Sequence, residues 1–156
     1  MTRRQALLMR GAHLVWRFTR GMTLGVRGAA IDGENRVCLV RHTYMNGWHL
    51  PGGGVEPGET ALDAVARELR EETGIVLDPA ATPVLHGFYF NDRASRRDHV
   101  ALYVARAFAV PVPKRPDREI AEAAFFPLDA LPPDTTPATR ARLVEIRDGR
   151  PPAATW

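Results

Sequence analysis

Between Gly53 and Ile75 the chain reads GGVEPGETALDAVARELREETGI, in which Glu68 is followed at three and four residues by Glu71 and Glu72. In a helix those spacings share a face, so the three carboxylates are expected to converge. Like charges so placed each cost a helix a few tenths of a kcal/mol, and a cation would remove that cost. Oxygen donors with no Cys or His among them suit Mg2+ or Mn2+ rather than Zn2+. Such ions keep open positions for water and for substrate phosphates. The plainer alternative is a solvated helix face with Arg67 and Arg70 as counterions. Two features weigh against it: the acids adjoin an apolar stripe expected through Leu62, Val65, Ala66, Leu69 and Thr73, and Gly52, Gly53 and Gly54 come before the helical part of the segment. Glycine permits close backbone approach, so the loop can present amides and carbonyls to a metal or a phosphate.

Gly53, Glu59, Arg67, Glu68, Glu71, Glu72 and Gly74 also satisfy the pattern G-x5-E-x7-R-E-U-x-E-E-x-G-U, where U is aliphatic, with Leu69 and Ile75 at the U positions. This is the Nudix box, and on it the chain resembles the Nudix hydrolases, which include the MutT-like enzymes. The resemblance implies an α/β/α sandwich with a mixed β-sheet. It also implies metal-dependent hydrolysis of a phosphoanhydride in a nucleoside diphosphate linked to another moiety, with a nucleoside triphosphate as the leading substrate. By the same resemblance Glu68 and Glu72 are metal ligands, the Gly52 carbonyl is a further one, and Glu71 is a ligand or the general base. Arg67 is similar to the family arginine that orients the glutamates through its planar fork, and Glu59 is more peripheral. Some members take the base from outside the box. Glu119 opens a segment running to Asp129 that resembles the family's late acidic strand, with Glu122 as its rival.

The elements that must position these groups follow from local signals. Pro57 and Gly58 precede, and Gly74 follows, a run without Pro or Gly, which predicts a helix over 61–73. Residues 22–31 and 35–42 read as buried strands joined by an Asp32-Gly33 turn, and 84–90 and 99–108 as a second buried pair. A short strand over 119–126 and a last helix over 138–148 complete the pattern. Strands with helices before, between and after them imply layered helices on a mixed sheet.

A chain of 156 residues, 45% hydrophobic, has the length of one domain. The expected organisation is a basic amphipathic helix over 1–22, the catalytic domain over 23–148 and a C-terminal tail over 149–156 outside the core. A single cysteine, Cys38, excludes an internal disulfide and a Cys-rich zinc site. It lies in a strand apolar on both faces and reads as a buried thiol, not a nucleophile.

The net charge of +3 arises wholly at the N-terminus, where residues 1–31 hold six Arg and no acid. Leu7, Leu8, Leu14, Val15, Phe18 and Met22 form an apolar stripe there. It reads as a helix packing on its own domain or on a second subunit in a homodimer, ahead of one lying on an anionic membrane or touching nucleic acid. Arg3 and Arg4 echo an export signal, but Arg10, Arg17 and Arg20 interrupt the apolar core such a signal requires. No run is long enough to span a membrane, and the cytoplasm is the expected location.

For substrate contacts, Arg93, Arg96 and Arg97 cluster between two strands and read as a phosphate grip, with Arg93 and Arg97 the leading pair, or as a solvated hairpin tip. Gly53 and Gly54 would meet phosphates. Trp48, Tyr44 or Phe88 would stack on a base or pack in the core. Residue patterns that mark NADH, coenzyme A, ADP-ribose and diadenosine polyphosphate subgroups are missing, including a proline near Asn91. RNA 5′-pyrophosphate removal, sugar-nucleotide cleavage and, in another class, nucleotide sensing without turnover remain the alternatives.

Overall fold

The computed structural model describes residues 21–156, so all but the end of the helix expected over 1–22 lies outside the described residues. Helix α1 spans Ala61–Thr73, matching the predicted bounds because both ends are chemically marked. Thr60 accepts from the Asp63 amide and Asp63 reaches back to the Thr60 amide, a reciprocal cap, while Gly74 closes the helix in the left-handed region. Helix α2 runs over Pro137–Asp148 with proline in its first turn and Gly149 as its left-handed cap.

Seven strands divide among three sheets rather than one. β1 (Thr23–Ala30) pairs in parallel with β5 (Asp98–Ala105), and β4 (Val84–Phe90) pairs antiparallel with β5. β2 (Arg36–His42) pairs with β7 (Ile120–Pro127), and the short β3 (Val76–Leu77) with β6 (Phe108–Ala109). The expected Asp32-Gly33 turn is present, yet β1 and β2 share only the bridge Ile31–Val37 before parting into different sheets. β4 and β5 do form the expected pair, but β4 is an outer strand with Val84, Leu85 and Phe88 exposed, so that pair is not buried throughout.

Side-chain alternation explains the layers. Val26 and Ala30 of β1 and Cys38 of β2 join Ala64, Val65 and Leu69 of α1 in one core cluster. Ala29, Ile31, Val37 and Leu39 point the other way and join Leu143 of α2 in a second. Strands buried on both faces are expected to be rich in apolar residues. The buried stretches, Val26 with residues 28–30 in β1 and residues 37–40 in β2, are so, with Arg27, Arg36 and Arg41 only partly buried between or beside them. The result is the α/β/α arrangement, with α1 and α2 on opposite sides. Burial pushes the Cys38 thiol up to about 12, consistent with an inert packed side chain.

The tail is a correction. The Phe90 amide donates to the Ala154 carbonyl and the Trp156 amide donates to the Phe90 carbonyl, and Trp156 packs on the α2-side core. Nothing in the local sequence of 149–156 signals this, because the partners lie on β4 and α2. Among the described residues no helix is long and apolar enough to cross a membrane.

Candidate active site

The stretch Pro51 to Val55 lies antiparallel along β1. Val26 donates to the Gly53 carbonyl at 2.8 Å, Gly28 to Pro51 at 2.9 Å, and Val55 to Leu24 at 2.9 Å. β1 is therefore flanked by β5 on one edge and by the glycine loop on the other. Gly52 has φ +146°, and a Cβ there would fall 2.1 Å from the Val26 carbonyl oxygen. At Gly53 a Cβ would fall 2.5 Å from Glu68 Oε1. Gly52 is thus required by its close approach to backbone, and Gly53 brings the loop against a carboxylate of α1 that a side chain there would have to displace.

Glu72 accepts a hydrogen bond from the Gly52 amide at 2.8 Å. Its carboxyl is pushed up to about 7, chiefly by burial and further by Glu68 and Glu119, against the opposing pull of the Gly52 amide and Arg27. Glu68, with 12% of its side chain exposed, accepts from Arg67 Nη1 at 2.7 Å. The expected convergence of three carboxylates holds for these two only. Glu71 points outward with 53% of its side chain exposed and lies 3.5 Å from Arg67. The buried arc of α1 is rotated from the expected one: Ala64 is buried and Leu62 is exposed. That rotation half-buries Glu68 and Glu72 at the edge of the core and turns Glu71 to solvent.

Arg67 is the hub. It makes two bonds to Glu59, at 2.8 and 3.3 Å, and donates to the Gly54 carbonyl at 3.1 Å as well as to Glu68. Its guanidinium is held further on the charged side by these carboxylates. Glu59 is therefore part of the network through Arg67, and it also accepts from the Glu56 amide at 2.7 Å just past the glycine loop.

Sequence reasoning missed Arg27. From β1 its guanidinium donates to the Leu50 carbonyl at 3.0 Å and to the Gly52 carbonyl at 2.8 Å. Burial lowers its pKa, while Glu72 and Glu68 hold it charged. The Gly52 carbonyl expected to face a cation is thus already engaged, with its second lone pair left. A charged residue on an otherwise apolar strand was the only signal in the sequence. His42, at the end of β2, is likewise buried; neither ring nitrogen finds a partner, and burial, His49 and Arg27 all favour its neutral form.

The remaining site residues divide. Glu119 is exposed just before β7, with its charge bearing on Glu72; Glu122 is exposed opposite Arg41. Trp48 is 3% exposed, edge-on to Phe126 at 4.7 Å between ring centroids and beneath Arg41, so it belongs to the core and offers no stacking face. Its place on a short bridge to Thr135 buries it. Arg93, Arg96 and Arg97 are all exposed. Arg93 alone of these lines a cavity at the site, a space of about 190 Å³ shared with Arg27, His49 and Leu50. A second space of about 320 Å³ is bounded by Gly53, Gly54, Arg27 and Asn91.

Among the described residues no three acidic, His or Cys side chains close into a finished cation cage. The donors still fit a hard divalent ion. Two carboxylates bracket a loop kept bare by glycine, and one of them is buried without a full countercharge, which disfavours its ionised form until a cation arrives.

These observations accord with the comparisons. The NUDIX domain description matches residues 22–145. An ADP-ribose pyrophosphatase of Methanocaldococcus jannaschii is 34% identical over 110 residues, covering 66% of this chain and 63% of that protein. An RNA pyrophosphohydrolase of Legionella pneumophila is 40% identical over 55 residues, 35% of this chain and 31% of that one. The chain spans less than two thirds of the length of these curated relatives. The crystal structure of a MutT NUDIX hydrolase from Burkholderia pseudomallei superposes with a TM-score of 0.67 at 28% identity, over 80% of this chain and 97% of that one. With the match running through all seven strands and both sides of the glycine loop, the chain belongs to the Nudix family.

Proposed function

We propose that this chain hydrolyses a phosphoanhydride bond in a nucleoside diphosphate linked to a further moiety, using Mg2+ or, in its place, Mn2+. The observation that carries the reading is the pairing of half-buried Glu68 and Glu72 with the bare Gly52-Gly53 loop. Glu68 and Glu72 would hold the cation, with the free lone pair of the Gly52 carbonyl as a further donor. When bound, the cation supplies charge neutralisation at the phosphates and lowers the pKa of a bound water. Arg67 keeps Glu68 and Glu59 in place through its fork. Arg27 fixes the loop from below by holding two of its carbonyls. The acceptor of the water proton is Glu71, which is accessible and only loosely held, or Glu119, whose charge reaches the site.

Three substrate classes enter the test. Resemblance to MutT-like enzymes favours a nucleoside triphosphate, and the archaeal relative's name favours ADP-ribose. The RNA pyrophosphohydrolase match is confined to 55 residues and adds a 5′-triphosphate RNA to the panel. A complete set of box carboxylates speaks against a sensor without turnover.

The deciding experiment measures Mg2+- and Mn2+-dependent release of phosphate, pyrophosphate or AMP across that panel, beside Glu72→Gln. Turnover of one class, abolished in the variant, supports the hydrolase and names its substrate. Nucleotide binding with no metal-dependent turnover of any member overturns it in favour of a sensor.

A further inference from the structure

The segment after α2 is clasped by groups that the catalytic reading does not use. Gly149 reverses the chain, and Phe90 then donates to the Ala154 carbonyl at 2.9 Å while Trp156 donates to the Phe90 carbonyl at 3.0 Å. Glu145 accepts from the Ala153 amide at 3.1 Å and from the Tyr89 hydroxyl at 3.0 Å. Arg142 donates to the Thr155 carbonyl and lies 2.8 Å from Glu145. Both charges are buried, and both would lose backbone partners if the segment lifted away. Buried charge left unpaired is strongly unfavourable, so the clasp holds residues 153–156 in one place.

What the clasp delivers is an indole. Trp156 meets Tyr89 edge-on at 5.4 Å between centroids, and it also forms a wall of the 190 Å³ cavity with Arg27, His49, Arg93 and Thr139. The volume lies below the roughly 300–1,000 Å³ of pockets that enclose a whole drug-sized ligand, a size for one ring system. Arg27 borders this cavity and also the one at Gly53 and Gly54. Phosphates held at the glycine loop would therefore have the Trp156 cavity next to them. An aromatic wall beside hydroxyl, imidazole and guanidinium groups is suited to stack on and hydrogen-bond a heteroaromatic base.

We propose that Trp156, carried on the clasped 153–156 segment, is the stacking wall of a nucleobase subsite that opens beside Arg27. The proposal rests on the reading that a nucleotide is the substrate, and it adds where the base goes. The test is calorimetric titration of the full chain in Mg2+ with α,β-methylene-ADP and, as its base-free counterpart, methylenediphosphonate. Trp156→Ala is expected to weaken the nucleotide analogue about tenfold or more, leave the diphosphonate within about twofold, and be rescued to within about threefold by Trp156→Phe. Unchanged binding of both ligands, or equal weakening of both, overturns the subsite; equal weakening would mean that Trp156 only supports the fold. Should Trp156→Ala fail to fold, the wild-type indole N–H resonance of Trp156, assigned with Trp156→Phe, must move with the nucleotide analogue and not with the diphosphonate. A resonance unmoved by both sinks the proposal equally. If the wild type binds neither ligand and turns over no nucleotide, the hydrolase reading falls as well. Metal-dependent turnover lost in Glu72→Gln, together with unaltered nucleotide binding in Trp156→Ala, removes the subsite alone.

Discussion

The two helices each carry a cluster of arginine and glutamate, and the clusters differ in charge balance. On α1, Arg67 faces Glu59, Glu68 and Glu71, and Glu72 sits beyond it with Arg27 as its nearest cation. Acids outnumber bases there, and the surplus lies beside a glycine loop with cavities at either end. On α2, Arg142 and Glu145 have side chains 7% and 10% exposed and pair with each other, with His86 Nε2 3.5 Å from Glu145, and they turn their remaining bonding capacity to Tyr89 and to the backbone of the following segment. Arg142 also lies over the Tyr89 ring at 4.6 Å. A balanced buried pair fastens chain to chain, whereas an unbalanced half-buried set waits for a positive ligand.

That contrast can be broken from either side. The largest effect is expected from Glu145→Ala, which strands Arg142 in the core: chemical denaturation should show a loss of about 3–5 kcal/mol, while kcat per folded molecule at saturating substrate remains and KM rises as the Trp156 segment loosens. A loss within experimental scatter would mean that the α2 pair does not fasten the segment. Next, Glu72→Gln and Glu68→Gln should each lower kcat by about 100-fold or more with the melting temperature preserved. Near-normal turnover in both variants would remove the ligand assignment.

Arg67→Lys sharpens the comparison within α1. Lysine keeps the charge but cannot fork between Glu59, Glu68 and the Gly54 carbonyl, so kcat is expected to fall about tenfold at little change in KM. Full activity in the lysine variant would show that charge alone suffices. The smallest effect is expected at the helix start, where Thr60→Ala removes half of the reciprocal cap; a stability loss of about 1 kcal/mol is anticipated, with kcat unaltered.

Legibility followed the range of the interactions. The bounds of α1 were readable because Thr60, Asp63 and Gly74 act within one turn of where they stand. The Arg67 hub was readable because its partners Glu68 and Glu71 lie on the same helix. The placement of Glu71 was misread because the arc facing the core depends on what packs against the helix, and here the sheet selects Ala64 over Leu62. Trp48 was equally ambiguous: an aromatic next to a loop packs or stacks according to whether a neighbour such as Phe126 arrives from a distant strand.

The amino-acid sequence by itself determined the family and the helix that carries the box carboxylates, since a dense motif and local caps need no knowledge of distant partners. Tertiary structure alone decided that β1 lies parallel to β5, that Arg27 comes up beneath Gly52, and that residues 153–156 return to β4 to set Trp156 beside Arg27. Each of these joins groups far apart in the chain, and contacts at that separation are chosen by how complete layers bury their faces and satisfy their backbone, a balance that no local pattern encodes.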